Sequence, residues 1–368
     1  MRIFMSTGEA SGDMSAAALA EAIRRLEPRV RFAGIGGDRM RAAGFRITAD
    51  TRGWASMGPL EAIAKVPPLL AEMLRHALVL RARPPALVVL VDFGAFNLRL
   101  AATLRRLRYP GPILYFFPPS AWTDREAPAR QVAAYATALT TFEHQRDFYR
   151  SLGLPITYFG HPLVSLVPPK APAPPPPADG GWVALLPGSR RGEIERHLPR
   201  LLAALALLRA RRPRVRAVVS AAGDEAERLI RKALAAGPSD LEIVRGAPAA
   251  LERADAAWIA SGTAVLEAAL REVPSVALYV VRPSQVAIGR RMYRGRFVTL
   301  PNLLLDRGLI PELLQDDATP ERLCDELDAV LRDPSTQREG MRALRPLLGP
   351  PDALERCARF ALDLASGA

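Results

Sequence analysis

Cysteine, histidine and lysine are all scarce in this chain of 368 residues. It has two cysteines, four histidines, and three lysines among its 50 basic residues. Both cysteines, Cys324 and Cys357, lie towards the C-terminus, so neither a disulfide framework nor a zinc-ligand spacing is available. The histidines are dispersed, which argues against a His-rich metal site. The composition therefore excludes disulfide-rich and zinc-finger proteins.

Long apolar runs are absent as well. No uninterrupted apolar stretch reaches the roughly 18 residues that a transmembrane helix needs. The chain opens on a short strand-like run, Ile3–Ser6, rather than on the hydrophobic core of a signal peptide. We therefore expect a cytoplasmic protein.

Arginine and proline are abundant instead. The net charge is +12, and the chain contains 34 prolines. The basic excess favours an anionic partner, such as a phosphate group or a membrane surface. No nucleic-acid-binding module is recognisable, so a nucleic acid is not the expected partner.

Short apolar runs alternate with longer amphipathic runs in both halves of the chain. The predicted strands are Ile3–Ser6, Val30–Ile35, Leu87–Val91, Ile113–Phe117, Ala138–Thr141, Ile156–Phe159, Trp182–Leu186, Val215–Ser220, Leu241–Val244, Ala256–Ala260 and Ser275–Val280. The predicted helices are Met14–Leu26, Pro67–Leu80, Leu98–Leu107, His144–Leu152, Glu193–Leu208, Glu225–Ala235, Ala264–Arg271 and Pro320–Leu331. Because parallel strands need crossover helices, this order predicts an α/β protein with two Rossmann-like parallel-sheet domains.

A proline-rich segment marks the predicted domain boundary. Seven of the residues in Val167–Ala178 are proline, a composition typical of a stiff polyproline II spacer. We predict an N-terminal domain over 1–166, a linker over 167–180 and a C-terminal domain over 181–333. Helices over 334–368 are expected to pack back on the N-terminal domain.

A turn of small and polar residues, Gly8–Asp13, follows the first predicted strand. Open parallel sheets bind ligands at the carboxyl ends of their strands, so this turn is a candidate site. We favour a functional role for Glu9 and Ser11. The alternative is an ordinary tight turn in which Ser11 or Asp13 caps the next helix.

Two further turns in the second half are suited to phosphate. In the first, Gly188 and Ser189 are expected to present backbone N–H groups at a helix N-terminus, and Arg190 adds a forked cation. The second turn contains Ser261, Gly262 and Thr263, and Glu267 follows where a carboxylate could accept hydrogen bonds from a ribose. The alternatives are an ordinary Gly-Ser turn and a solvated glutamate on a helix surface.

Asp92 ends the apolar strand Leu87–Val91. A carboxylate at a strand end is a candidate general base. The alternative is that Asp92 caps the following helix.

The order of several strings along nearly the whole chain resembles the lipid-A-disaccharide synthases, a membrane-associated family of GT-B glycosyltransferases. The strings are Gly8–Asp13, Gly34–Gly37, Met57-Gly58 with Glu61, Gly160–Leu163, Leu185–Arg190, Ser261–Ala264 with Leu266-Glu267, Leu300–Leu303 and Pro311–Gln315. The resemblance implies two Rossmann-like domains facing each other across a cleft. It also implies a one-step displacement with inversion and no cofactor or metal.

The resemblance further implies the substrates and the roles of single residues. A 2,3-diacylglucosamine moves from its UDP donor to 2,3-diacylglucosamine 1-phosphate, which gives a β-1,6-linked disaccharide 1-phosphate. Asp92 would deprotonate the acceptor 6-hydroxyl, Arg190 and Asn302 would bind the departing UDP, and Glu9 and Ser11 would line the cleft. The residues implied on the acceptor side are Met57, Glu61, Ser120, Trp122 and Arg125.

Three positions depart from the family pattern near the acceptor side: Ala95 replaces an acid, Asp124 a tryptophan, and Asp306 a glycine. Two alternatives therefore stay open, a diverged UDP-sugar enzyme with another acceptor and an enzyme like UDP-N-acetylglucosamine 2-epimerase. Pro67–Arg83 reads as a basic amphipathic helix, so we expect peripheral contact with the inner membrane. The alternative is a helix that only covers the sheet. A homodimer is a further expectation.

Overall fold

A computed structural model describes most of the chain. The described residues are 1–51, 54, 59–119, 123–171, 177–235, 240–283, 285–286 and 295–367, with the backbone alone for 59–65. The chain divides into two compact units: Met1–Leu166 with Leu348–Ala368, and Val167–Leu347.

The first unit is built on a parallel sheet with the strand order β3-β2-β1-β4-β5-β6-β7. Its strands are β1 (Arg2–Ser6), β2 (Arg31–Gly36), β3 (Arg46–Asp50), β4 (Leu87–Val91), β5 (Ile113–Phe116), β6 (Thr137–Thr140) and β7 (Thr157–Tyr158). The helices before the linker are α1 (Ala10–Leu26), α2 (Asp38–Ala42), α3 (Pro59–Ala82), α4 (Gly94–Arg106), α5 (Glu126–Tyr135), α6 (Glu143–Ser151) and α7 (Leu163–Leu166).

The central strand β4 shows why this sheet is covered on both faces. All five of its residues are apolar and buried, as expected for a parallel strand between two helical layers. Leu87 and Val91 pack towards α1, whereas Val88 and Leu90 pack towards α3 and α4.

The C-terminal helices are divided between the two units. Residues 334–347 belong to the second unit, so the expectation that all of 334–368 returns to the first is wrong for this stretch. The last helix (Ala353–Ser366, called α16 below) packs on α1, and Leu354, Cys357 and Ala358 join the core of the first unit.

The second unit has a parallel sheet with the order β10-β9-β8-β11-β12-β13. Its strands are β8 (Gly180–Leu186), β9 (Arg214–Ala221), β10 (Glu242–Arg245), β11 (Ala256–Ala260), β12 (Ser275–Tyr279) and β13 (Glu312–Leu314). Its helices are α8 (Arg191–Arg211), α9 (Asp224–Leu234), α10 (Ala247–Arg253), α11 (Thr263–Leu270), α12 (Leu300–Leu305), α13 (Pro320–Arg332), α14 (Ser335–Arg342) and α15 (Leu344–Leu347).

In each sheet the strand order reverses at one point, between β1 and β4 in the first unit and between β8 and β11 in the second. Helices that leave adjacent strands there run to opposite faces of the sheet, which opens a crevice at the carboxyl ends of the strands. The turns singled out in the sequence follow these four strands.

Candidate functional site

The turn at Asp92 has an unusual backbone. Asp92 and Phe93 both adopt left-handed conformations, with φ of 48° and 49°. This region is costly for residues with a Cβ atom and is retained where the surroundings impose it. The Asp92 N–H donates to the carbonyl of Phe116 on β5, 3.1 Å away. The helix cap falls on Phe93, so the alternative that Asp92 caps α4 is wrong.

Two buried side chains hold this turn. Asn97 Nδ2 donates to the Asp92 carbonyl at 2.8 Å, and the Tyr115 hydroxyl donates to the same oxygen at 2.9 Å. Burial, together with the Asp92 charge, raises the pKa of Tyr115 well above its usual value, so the phenol keeps its proton. The Ser6 hydroxyl donates to Asn97 Oδ1 at 2.7 Å, which joins the end of β1 to α4. The sequence analysis gave Asn97 and Tyr115 no role.

The Gly8–Asp13 turn contacts the Asp92 turn directly. A Cβ atom on Gly8 would lie 2.3 Å from the Phe93 ring, so only glycine allows the two turns to meet this closely. Glu9 is the extended N-cap residue of α1, and the Ser11 carbonyl accepts a hydrogen bond from the Ser15 hydroxyl.

Asp13 lies inside α1, because the helix begins at Ala10, and its side chain has a structural role. Its buried carboxylate accepts hydrogen bonds from the N–H groups of Gly37, Arg39 and Met40, at 2.7, 2.8 and 3.3 Å. It therefore braces the start of α2, and neither it nor Ser11 caps α1. Burial raises the pKa of Asp13, which these amide donors partly offset.

Most of the predicted acceptor-side residues cannot be placed. Met57, Ser120 and Trp122 lie outside the described residues, as does the side chain of Glu61. Arg125 is exposed at the start of α5. Its neighbour Asp124 accepts a hydrogen bond from His144 Nε2 at 2.9 Å.

The first phosphate turn of the second unit already holds an anion from the chain itself. Glu193 Oε2 accepts from the N–H groups of Ser189 and Arg190, at 3.0 and 3.2 Å. Its other oxygen lies 3.1 Å from Arg190 Nη1. Gly188 has a φ of +112°, and a Cβ there would lie 2.5 Å from Glu193 Oε2. Of the two amides expected to bind phosphate, that of Ser189 is therefore already taken by Glu193 in this conformation.

The second turn is open. Gly262 is exposed, and a Cβ atom built on it meets nothing within 4 Å. The Ser261 N–H is held by the Leu278 carbonyl of β12 at 2.9 Å, and Thr263 begins α11. Glu267 lies inside that helix and is 6% exposed, so the alternative of a solvated glutamate is wrong.

The side chain of Asn302 makes its hydrogen bonds within its own segment of the chain. Its amide nitrogen donates to the Ile310 carbonyl and to Glu312 Oε1, each at 2.8 Å. Its oxygen accepts from the N–H groups of Leu309 and Ile310, each at 2.9 Å. The side chain is buried, so Asn302 shapes the segment around α12 rather than presenting its amide to solvent. Among the described residues, no group of three or more His, Cys, Asp or Glu side chains could hold a metal ion.

Comparison with known proteins gives one family. The family model for lipid-A-disaccharide synthetase matches residues 3–345. The lipid-A-disaccharide synthase of Myxococcus xanthus is 36% identical over 374 residues, which cover 99% of this chain and 97% of that protein.

Solved structures share the fold at low sequence identity. A UDP-GlcNAc 2-epimerase from Neisseria meningitidis, bound to UDP-GlcNAc, matches with a TM-score of 0.64 and 10% identity, covering 99% of this chain and all of that one. The MurG protein of Acinetobacter baumannii matches with a TM-score of 0.57 and 15% identity, covering 98% of this chain and 99% of that one. The prediction of two Rossmann-like parallel-sheet domains of the GT-B class is confirmed.

Proposed function

The chain belongs to the lipid-A-disaccharide synthase family, and from this premise we propose the reaction and its residues. The protein is a glycosyltransferase of lipid A biosynthesis. It transfers 2,3-diacylglucosamine from UDP to the 6-hydroxyl of 2,3-diacylglucosamine 1-phosphate. The products are UDP and the β-1,6-linked disaccharide 1-phosphate. The observation that carries the proposal is the family match together with the Asp92 turn at the strand-order reversal of the first sheet.

Asp92 is the proposed general base. An attacking hydroxyl must lose its proton as the new bond to the anomeric carbon forms, and a positioned carboxylate accepts that proton. The Asp92 backbone is fixed by Phe116, Asn97 and Tyr115, so the carboxylate starts from a defined position. Glu9, at the start of the adjoining α1, belongs to the same strand-end region.

The second unit is the proposed donor side. As the anomeric carbon–oxygen bond breaks, its electron pair leaves with UDP, and negative charge develops on the diphosphate. The N-terminus of α11 at Gly262 and Thr263 is open to an anion, and a helix N-terminus stabilises negative charge. Arg190 supplies a partly exposed guanidinium at the neighbouring strand end.

The test is a two-substrate assay that follows UDP release and product mass. We expect Asp92→Asn, which keeps the shape and removes the base, to lower kcat by about 100-fold or more. Asp363→Asn, on the exposed side of α16, is the matched control and should behave like the wild type. Equal rates for Asp92→Asn and wild type would contradict the assignment of the base. Absence of UDP release by the wild type would contradict the reaction.

Another acceptor and an epimerase reaction are the competing functions. The departures at Ala95, Asp124 and Asp306 motivate the first, and the 2-epimerase fold neighbour motivates the second. UDP release with a different acylated acceptor alone would support the first. Conversion of a UDP-sugar with no acceptor present would support the second.

We propose that α3 holds the protein on the cytoplasmic surface of the inner membrane. Val66, Leu70, Leu74 and Leu78 recur every four residues along the helix and are 40–54% exposed. The helix is anchored in the core of the first unit through the buried residues Met73, Ala77 and Leu80. Exposed arginines lie on and just beyond the same helix at Arg75, Arg81 and Arg83, a pattern suited to an anionic membrane surface. No helix among the described residues has the length and apolar character needed to span a membrane.

A further inference from the structure

His197 connects two strand ends of the second sheet. It lies on α8, is fully buried, and uses both ring nitrogens. Nδ1 lies 2.8 Å from the Pro187 carbonyl, and the Val280 N–H lies 3.0 Å from Nε2. Because a carbonyl only accepts and an N–H only donates, Nδ1 must carry the proton and Nε2 must be bare. Burial lowers the pKa of His197, which favours this neutral form.

One backbone partner belongs to the first phosphate turn, and the other follows the strand that supports the second turn. Pro187 directly precedes Gly188 in the first turn. Val280 directly follows β12, the strand whose Leu278 carbonyl holds the N–H of Ser261 in the second turn. One imidazole ring therefore links the first turn to the end of β12, the strand whose Leu278 carbonyl supports the second turn.

Neighbouring residues of α8 act on the same strand ends. Glu193, one helical turn before His197, holds the amides of the first turn. Arg196 Nε donates to the Val280 carbonyl at 2.8 Å, so the Val280 peptide is held on both sides. The start of α8 thus fixes the spacing between the ends of β8 and β12.

We propose that His197 is a positioning residue for the donor: it holds the first turn at Pro187 together with the end of β12 that supports the second turn, and the diphosphate of the UDP-sugar binds between Arg190 and the N-terminus of α11. The proposal rests on the proposed function. A diphosphate contacts both turns at once only if their spacing matches it, and a small displacement of such groups is costly in binding and rate. His197 itself is buried and acts through the backbone of Pro187 and Val280.

Two substitutions separate this role from simple packing. In His197→Gln, the amide nitrogen can donate to the Pro187 carbonyl and the amide oxygen can accept from the Val280 N–H. In His197→Leu, an apolar side chain fills the space and both hydrogen bonds are lost. The matched control is His76→Leu in the first unit, because His76 is also buried and also uses both ring nitrogens.

The readouts are the Kd for UDP by calorimetry, the donor KM, kcat and Tm. We expect His197→Leu to raise the UDP Kd and the donor KM by about tenfold. The change in kcat should be smaller. His197→Gln should stay within about threefold of the wild type. His76→Leu should lower Tm and leave the UDP Kd unchanged.

Two results would overturn the proposal. In the first, the folded His197→Leu variant binds UDP as the wild type does, with only a lowered Tm, which makes His197 a packing residue. In the second, His197→Gln loses as much UDP affinity as His197→Leu. The two hydrogen bonds then do not determine the affinity for UDP. Failure of the proposed function is distinguishable, because the wild type then releases no UDP in the two-substrate assay, whereas the Kd of each variant for UDP is measured without an acceptor.

Discussion

At the scale of single residues, Asn97 ties the proposed base to the rest of the first sheet. Asn97→Ala would leave the Ser6 hydroxyl and the Asp92 carbonyl without one buried partner each. We expect the free energy of unfolding to fall by about 2–3 kcal/mol. We also expect kcat to fall because the left-handed turn relaxes. Urea unfolding and the two-substrate assay measure the two effects.

Ser6→Ala is the milder comparison for Asn97. It removes a single hydroxyl donor from Asn97 Oδ1 and leaves the bond from Asn97 to Asp92 in place. We expect the free energy of unfolding to fall by about 1 kcal/mol and kcat to stay nearly unchanged. If Asn97→Ala lost stability but kept full kcat, the Asp92 turn would not depend on Asn97.

His161 makes stability depend on pH. Burial against the Phe117 and Phe142 rings lowers its pKa to about 3, from 6.5, and its Nδ1 accepts from the Leu163 N–H. Between these pH values the unfolded chain binds a proton that the folded chain does not. The stability that His161 contributes is therefore fully present above about pH 6.5. Below that pH, the free energy of unfolding falls by up to about 1.4 kcal/mol per pH unit.

His161→Asn tests this dependence, because its Oδ1 can replace Nδ1 as an acceptor and does not titrate. Urea unfolding between pH 7 and pH 4.5 should show a shallower loss of stability in the variant than in the wild type. Parallel curves for the two proteins would show that His161 takes up its proton equally in both states.

Sequence reasoning found the turns but misjudged what occupies one of them. Strand-end placement and small residues sufficed to identify Asp92, Gly188 and Gly262. Glu193 begins a predicted helix just after the motif string, yet nothing in the pattern distinguished a helix-surface carboxylate from one that folds back on the preceding amides. That distinction depends on a side-chain conformation. The four hydrogen bonds of Asn302 were hidden in the same way, because their partners come from a different element.

At the scale of elements, α3 offers the clearest test. The triple variant Leu70→Ser, Leu74→Ser and Leu78→Ser should no longer sediment with vesicles that contain an anionic phospholipid. Tm should stay close to that of the wild type, because these side chains are 40–54% exposed. Leu207→Ser on α8 removes a comparably exposed leucine and should leave vesicle binding intact. Full sedimentation of the triple variant would exclude α3 as the membrane contact.

The two strands missed by the sequence analysis both lie at sheet edges. β3 lies at one edge of the first sheet, and its sequence Arg46–Asp50 contains one large apolar residue. β13 lies at one edge of the second sheet and has three residues. An edge strand has one neighbour and is less buried, so it does not need the apolar run that marks a central strand. The central strands β4 and β11 were predicted with the bounds observed.

At the scale of the whole molecule, each unit contains one buried cysteine. Cys324 packs in the core of the second unit and Cys357 in that of the first. Burial raises the pKa of both thiols, to about 12 for Cys357. Because the thiolate is the reactive form, we expect neither to react with a thiol reagent in the native state. In a urea titration, Cys324→Ala reports the opening of the first unit and Cys357→Ala that of the second.

Rapid labelling of either variant without denaturant would contradict the burial of its remaining thiol. Labelling of both variants at one urea concentration would indicate a single cooperative transition. Two separate midpoints would indicate units that unfold independently.

The two-unit architecture was predictable because alternating strands and helices repeat on either side of a proline-rich segment. The division of the C-terminal helices between the two units was not predictable. The longer helices after residue 334 are amphipathic. An amphipathic pattern predicts that a helix packs on a sheet, but it does not predict which sheet. The break at Gly349–Pro351 coincides with the return of the chain to the first unit, beginning at Leu348.

That return has a consequence for biosynthesis. The second unit is one uninterrupted stretch, whereas the core of the first includes Leu354, Cys357 and Ala358 from the last helix. On the ribosome, the half that is translated first is therefore the half that is finished last. A nascent chain must keep its first sheet, whose seven strands are already made but which lacks α16, from associating with others until α16 has been synthesised. A nonsense mutation just upstream of α16 would leave the second unit whole and the first unit, which carries Asp92, without its final helix.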